Sequence, residues 1–502
     1  MHKSKVIVSG IAWTIILNVV SVLYGIISVP FLINYFGKDE YGLIGLALSV
    51  NIYINLLDMG MTNSNVRFFS EYITKSEKEN VQKLFSLTNL FYLLVGILNS
   101  FVLFGVSLFV SDIFKVTTEQ AIVLRNLLWI LGLNATFSWL SICFDQLLRA
   151  NELIDWIKKR ATILKLMQFV ILGLTIWMKL SIEIYFFGYI FIVTTILPLT
   201  IVKTKRIVPE LRLKPRFDRE MFNTVFPYAI SLFSFSIFQF LAFNFRPLIL
   251  GNMSGPGAVA EFNVMNTIAM VVTIISGSFT QVLLPVVTKM SVNNDQKSIE
   301  KTMYLGTKYV TILLSGIIFT IIASMEEIFT LYVGSEYVSL AKWMVLWLIT
   351  LLLAHRNVMT SLVFTEQKIK SVAYMGAVAM SIALICYYFF IPIYGVGGVV
   401  IGFAAHEIIH TLFYYVFFLP KKFGLNTARF FFSVVMPVWL TFGVVCIFSR
   451  FLEMCEIYSI IETICLKTAI CCIIFSSIIW LCFFNKEDKS FIISFFKRRL
   501  NS

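Results

Sequence analysis

The sequence predicts an all-α, polytopic membrane protein of about fourteen transmembrane helices, on three observations. Apolar residues make up 58% of the 502-residue chain and charged residues only 14%, with a mean hydropathy of +0.85. A soluble domain carries about 25% charged residues. Apolar runs of about twenty residues recur from end to end, each long enough to cross a hydrocarbon layer about 30 Å thick. Basic residues gather in alternate loops between those runs, as cytoplasmic loops collect Lys and Arg. Backbone groups in lipid must be satisfied internally, and runs this long, without ten-residue alternation, read as helices rather than barrel strands.

In order, the spans read 6–36, 42–66, 84–111, 120–148, 157–178, 182–202, 222–251, 259–288, 303–325, 342–365, 371–392, 396–420, 429–450 and 460–484. The first is too long for a signal-peptide core and no small-residue cleavage site follows, so it reads as a retained span. With the N-terminus inside, the alternate loops place 32 of the 41 basic residues on one side. These include Arg67, Lys75, Arg160, Lys165, Lys203, Lys308, Lys421 and the tail residues Lys497 to Arg499. Six lie opposite and three (Arg246, Arg356, Lys467) fall within spans. An error in the span count would scramble this alternation, so both termini are expected to be cytoplasmic. The net charge of +13 is then a topology signal facing anionic lipid headgroups rather than a nucleic-acid surface. The tail from Phe491 to Leu500 alternates apolar and basic residues, as a segment lying along the membrane would.

A weak repeat divides the chain. Pro30 matches Pro247 at an offset of 217, Ser111–Phe114 matches Glu326–Phe329 at 215, and Leu128-Trp129 matches Leu346-Trp347 at 218. A common offset in common order implies duplication. The expected organisation is two six-helix lobes, 1–205 and 222–420, joined by a cytoplasmic linker at 206–221. Two extra C-terminal helices (421–485) and a basic tail (486–502) follow. Each lobe has an even number of spans, so the lobes are parallel repeats, an arrangement that puts substrate at their interface. The eight cysteines show neither metal-ligand nor redox spacing and read as small packing residues.

Polar stripes at helical spacing mark where spans meet protein or water. Span 1 carries Thr14, Asn18, Ser21, Gly25 and Ser28; span 2 carries Asn51, Asn55, Asp58, Thr62 and Asn65 at the same offsets. Span 7 offers Ser231, Gln239 and Arg246, and span 8 Asn263, Asn266, Thr273, Gly277 and Thr280. Small and amide residues also glue helices together in lipid. Several Asn and Asp in four symmetry-related spans nevertheless point to a hydrated cavity.

Charges within spans are sharper, since a Lys or Arg at a helix centre costs about 2.5–3.5 kcal/mol on insertion scales. Arg356 lies mid-span beside His355, Arg246 precedes the kink-prone Pro247, and His406, Glu407 and His410 lie near the middle of span 12. Two readings stay open. Arg356 and Glu407 form a buried ion pair, or Arg246 and Arg356 offer positive potential to an anionic group, since guanidinium binds phosphate oxygens bidentately. Glu407, His410 and Asp58 are then coupling groups or ion-pair partners. Lys467 either joins the cavity or snorkels to the outer surface. No catalytic constellation, cofactor motif or metal-ligand spacing is present, so an enzyme is not expected.

Two elements carry a family resemblance: FGKDEYGLIGLALS at 36–49 and LLDMGMTNSNVRFFSEY at 56–72, with weaker support from LPVVTKMS at 284–291 and LYVGSEYVSLAKW at 331–343. The chain resembles the Wzx / polysaccharide-transport branch of the multidrug/oligosaccharidyl-lipid/polysaccharide exporter superfamily. The resemblance implies a flippase of the bacterial inner membrane that moves undecaprenyl-pyrophosphate-linked oligosaccharide, such as O-antigen repeat units, by alternating access around a cationic cavity. It implies membrane lipids, a glycan polymerase and a chain-length regulator as partners. Where the family often has an acidic residue near the end of span 7, this chain has Arg246, which removes a cation-coupling carboxylate there. Lipid II-type flippases and drug exporters of the superfamily are the nearest alternatives. A glycan polymerase or ligase is more distant, because no outer loop is long enough to hold an acceptor.

Overall fold

The computed structural model describes residues 2–292, 295–363, 370–451, 459–484 and 489. It is helical, with no strand among the described residues, and thirteen of its helices are long and apolar enough to cross a membrane. Expected span 7 is divided at Phe245 between a further 26-residue helix and a nine-residue one, α10 and α11 below. The tail and its surface segment at 491–500 lie outside the described residues.

α1 (His2–Phe36) turns at Gly37, φ 99°, into α2 (Lys38–Ile54). Expected span 2 is not one helix. α2 runs into a 3-10 turn at Asn55–Asp58, and Met59 (φ 48°) and Gly60 (φ 77°) are left-handed before α3 (Met61–Thr74) starts. The stripe Asn51 to Asn65 is thereby divided between two helices rather than lying on one face. Gly60 tolerates this conformation, and a Cβ there would stand 2.3 Å from the Ala229 carbonyl oxygen.

α4 (Lys78–Leu108), the short α5 (Val110–Ile113) and α6 (Thr118–Ala150) follow, α6 opening on a capping box between Thr117 and Gln120. α7 (Ile154–Met178) ends at the left-handed Lys179; α8 (Ile182–Thr194) and α9 (Ile196–Ile207) together make the sixth span. The linker residues 208–218 then run beside α4. The Gln82 side chain bonds both the N–H (2.8 Å) and the carbonyl (2.9 Å) of Arg212, and Asn89 donates to the Leu213 carbonyl. Asp218 caps α10 (Arg219–Asn244), which is followed by α11 (Arg246–Ser254), with Pro247 in its first turn, and α12 (Pro256–Val292).

Asp295 caps α13 (Gln296–Ala323). Next come α14 (Met325–Tyr332), α15 (Ala341–Leu351), a 3-10 turn at Leu352–Arg356 and α16 (Asn357–Val363). α17 (Lys370–Tyr394) and α18 (Val396–Leu412) precede a π-helical turn at Phe413–Phe418, then α19 (Leu419–Phe423) and α20 (Thr427–Phe430). α21 (Met436–Phe451) and α22 (Ile460–Ile478) follow, the latter running into a π-helical turn at Ile479–Phe483.

The helices form two compact units, residues 1–267 with 371–402, and residues 268–370 with 403–502. This division falls within α12 and α18, not at the lobe boundaries drawn from the repeat. In the first unit α4 and α6 approach closely through small residues. A Cβ on Gly96 would stand 2.7 Å from Thr136 Cα, and Ser100 donates to the Gly132 carbonyl at 2.7 Å. Lipid supplies no hydrophobic drive between helices, so such close packing holds them. The core beside it is Phe69, Leu84, Phe85, Tyr92, Trp139 and Phe144. In the second unit α13 packs on α21 and α22, with the Phe442 and Phe475 rings stacked at 4.2 Å.

Two lysines counted with the inside loops lie well inside helices. Lys165 is the twelfth residue of α7, and Lys308 is a buried residue of α13, near the Tyr309 ring. Both positions fall inside the expected spans 157–178 and 303–325, where long aliphatic stems and aromatic neighbours accommodate an ammonium.

Candidate functional site

In the second unit, the 3-10 turn at Leu352–Arg356 carries Arg356 toward α18. Arg356 Nη2 donates to Glu407 Oε2 at 3.0 Å and Nη1 to Thr411 Oγ1 at 2.9 Å; its guanidinium also lies over the Tyr414 ring. His406 Nδ1 is 3.1 Å from the other Glu407 oxygen, and the rings of His406, His410 and Tyr414 follow one another along one side. Arg356, His406 and Glu407 are all buried. Sequence spacing brought Glu407, His410, Thr411 and Tyr414 to one face, and Arg356 meets that face. His355 points elsewhere. Fully buried, its Nδ1 contacts the Leu352 carbonyl and its ring meets Tyr415 and Trp439 edge-on, while Nε2 has no hydrogen-bond partner.

Lys467 of α22 does not snorkel. Its side chain is 2% exposed and its ammonium is bound by the carboxylate of Glu327 in α14. Glu327 was not singled out as a charge partner in the sequence, since it lies just after expected span 9 rather than inside one.

In the first unit Arg246 opens α11, 4% exposed. Its Nε donates to the Phe243 carbonyl at 3.1 Å, and its guanidinium lies 5.4 and 5.7 Å from the ring centres of Phe243 and Phe262. The helix break before Pro247 supplies the carbonyl that receives this bond.

A second, partly buried network surrounds Asp58. Tyr92 donates to Asp58 Oδ1 at 2.6 Å, Thr62 Oγ1 to the same oxygen at 2.8 Å and the Thr62 N–H to Oδ2 at 3.2 Å. Gln146 donates to Tyr92 (2.6 Å) and to Thr62 (3.1 Å), and accepts from Asn65 (3.0 Å). Sequence reasoning found Asp58, Thr62 and Asn65 but missed Tyr92 and Gln146, which come from α4 and α6. The break at Met59–Gly60 lets Asp58 reach forward to cap the start of α3.

Two further cations stand out. Arg160 of α7 makes a bidentate pair with Asp145 of α6 (2.9 and 2.7 Å) and donates to Thr200 of α9. Lys165, half-buried one turn further along α7, has neutral partners instead. Its ammonium donates to Gln168 Oε1 at 2.9 Å and lies 4.3 Å from the Tyr24 ring centre and 6.0 Å from that of Tyr189. Cation–π contacts contribute about 0.5–2 kcal/mol, less than the insertion cost of a central lysine.

Of the stripe residues, Asn18 and Asn51 are half-buried, and Asn51 accepts a long bond from Asn99; Asn55 is exposed. Asn18 lies away from the exposed face of α1 formed by Ile15, Val19, Leu23 and Ile26. The Gln239 side chain lies outside the described residues. Among the described residues no cluster could hold a metal ion.

Helices of membrane-crossing length, with ionic groups enclosed among them, define a multi-pass membrane protein. Residues 7–291, more than half of the chain, match the family described as "Polysaccharide biosynthesis protein", and the chain belongs to that family. It is similar in structure to the lipid II flippase MurJ in an inward closed conformation, at 15% identity over 94% of this chain and 99% of that one, with a TM-score of 0.71. It is also similar to an inward-facing multidrug resistance MATE family transporter of the MOP superfamily (15% identity, 81% and 94% covered, TM-score 0.58). A eukaryotic MATE transporter matches at 13% identity, 86% and 100% covered, with a TM-score of 0.54. At these identities the likeness is one of fold, and the fold is of the MurJ/MATE type. A comparison with curated protein sequences finds no match. The resemblance drawn from 36–49 and 56–72 therefore holds for family and fold.

Proposed function

We propose that this protein is a flippase that carries undecaprenyl-pyrophosphate-linked oligosaccharide across the bacterial inner membrane by alternating access, with both termini cytoplasmic. Family membership supports the link to polysaccharide synthesis, and the fold supports transport. The observation that carries the choice of cargo is Arg246, a guanidinium buried against Phe243 and Phe262 at a helix break where a cation-coupled exporter would need a carboxylate. Such a group favours an anionic head, while the apolar outer faces of the helices leave a prenyl chain in lipid. The two repeat-related lobes are the moving bodies in this reading. The test compares surface glycan and resistance to cationic dyes in one deletion strain. Lipid-linked oligosaccharide retained on the inner leaflet, with dye resistance unchanged, is expected. Normal glycan with lost dye resistance would make the protein a drug exporter.

A further inference from the structure

Lys165 has no part in the reading above, yet its surroundings are those of a binding group. As the twelfth of 25 residues in α7, it lies about 16 Å along the helix from its start, at a rise of 1.5 Å per residue. Ile163, Leu166, Met167, Val170 and Leu174 are exposed and form the lipid face of α7. By helical spacing Lys165 lies on the opposite face, with buried Gln168 and Leu172. The residue is half-buried there rather than sealed.

Three other cations described here each face a carboxylate. Arg356 faces Glu407, Lys467 faces Glu327 and Arg160 faces Asp145. Among the described residues no carboxylate lies within ion-pair distance of Lys165. Of its three N–H donors one goes to Gln168, and the Tyr24 ring takes up one side of the ammonium. That ring is fixed in turn, edge-on to Phe169 at 5.0 Å and with its hydroxyl 3.1 Å from the Tyr185 hydroxyl. Neutral partners position an ammonium without cancelling its charge, and an unpaired cation at this position in a span is costly unless an anion visits it.

We propose that Lys165, set by Gln168 and Tyr24, is a phosphoryl-binding group of the first compact unit that contacts the pyrophosphate of the lipid-linked substrate. This rests on the function proposed above and adds a residue to it. A compact ammonium with rotatable donors suits phosphate oxygens approached from changing directions, as a moving head group would present them.

The test uses purified full-length protein in phosphatidylcholine nanodiscs, with decaprenyl pyrophosphate, decaprenol and phosphatidylglycerol as probes. Acylation of Lys165 by a membrane-permeant amine reagent, read by peptide mass, should fall several-fold with decaprenyl pyrophosphate and stay unchanged with decaprenol. Lys165→Met should weaken decaprenyl pyrophosphate binding by roughly ten- to a hundredfold, as expected for one charge-assisted bond. Decaprenol binding should hold, and Lys165→Arg should recover most of the loss. Equal protection by phosphatidylglycerol would assign the lysine to bilayer headgroups and overturn the proposal. Unchanged binding by Lys165→Met, or equal loss for both decaprenyl probes, would overturn it as well, the second outcome marking a mere brace. The labelling arm needs no substitution, so it decides even if Lys165→Met does not fold. A wild-type protein that binds the pyrophosphate no better than decaprenol would overturn the proposed function itself, and that is read before any variant is made.

Discussion

Asp58 in the first unit and Glu407 in the second are both carboxylates set among transmembrane helices, and they are stabilised by different means. Glu407 faces a full counter-charge, the Arg356 guanidinium at 3.0 Å, with His406 on its second oxygen. Among the described residues Asp58 accepts from neutral groups, the Tyr92 and Thr62 hydroxyls and the Thr62 N–H. An ion pair in a dry interior is an all-or-none device, because removing one partner leaves the other charge stranded. A carboxylate held by several neutral donors loses them one at a time, each loss smaller. The two units thus hold negative charge with different tolerance for change.

The largest effect is expected at the pair. Arg356→Ala or Glu407→Ala should each destabilise by about 3–5 kcal/mol, read as lower protein level and thermal midpoint in detergent. Arg356→Met with Glu407→Leu should recover much of that loss, since no charge is left unpaired; a double variant as unstable as either single would break the comparison. Next comes Tyr92→Phe, which removes one hydroxyl from Asp58 and an acceptor from Gln146, with an expected loss of about 1.5–3 kcal/mol in the same assay. The smallest effect belongs to a third carboxylate, Glu71, partly exposed on α3 and bonded to Lys75 at 2.7 Å. The Lys75 hydrogen bond holds its carboxyl below the usual range, so any contribution is present at neutral pH and lost as pH falls through the lowered value. Exposed pairs contribute little, so Lys75→Gln should leave the thermal midpoint unchanged at neutral pH. A clear drop would show that exposure does not set the ranking.

The helical fold and most span positions were legible because hydrophobic length and loop charge are local properties of the sequence. The pairing of Arg356 with span 12 was legible as one of two readings, since Glu407 and Thr411 share a helical face. The Asp58 network was legible only in part. Tyr92 and Gln146 join it from other helices, and periodicity within one span cannot report a partner in another. The division of span 2 was signalled by Gly60 after Asp58, but the regular offsets of Asn51, Asn55 and Asp58 suggested a continuous helix. Lys165 was obscured by a rule that assigns lysines to loops, which fails where rings and an amide receive the ammonium.

The contact between Glu327 and Lys467 joins residues 140 positions apart. At a synthesis rate of about 5–20 residues per second, Glu327 is made roughly 7–28 s before its lysine exists. During that interval α14 holds an acid whose eventual counter-charge is still on the ribosome. The side chain must find another partner or remain at the headgroups until α22 enters the bilayer. Closure of this contact is therefore timed by the translation of α22.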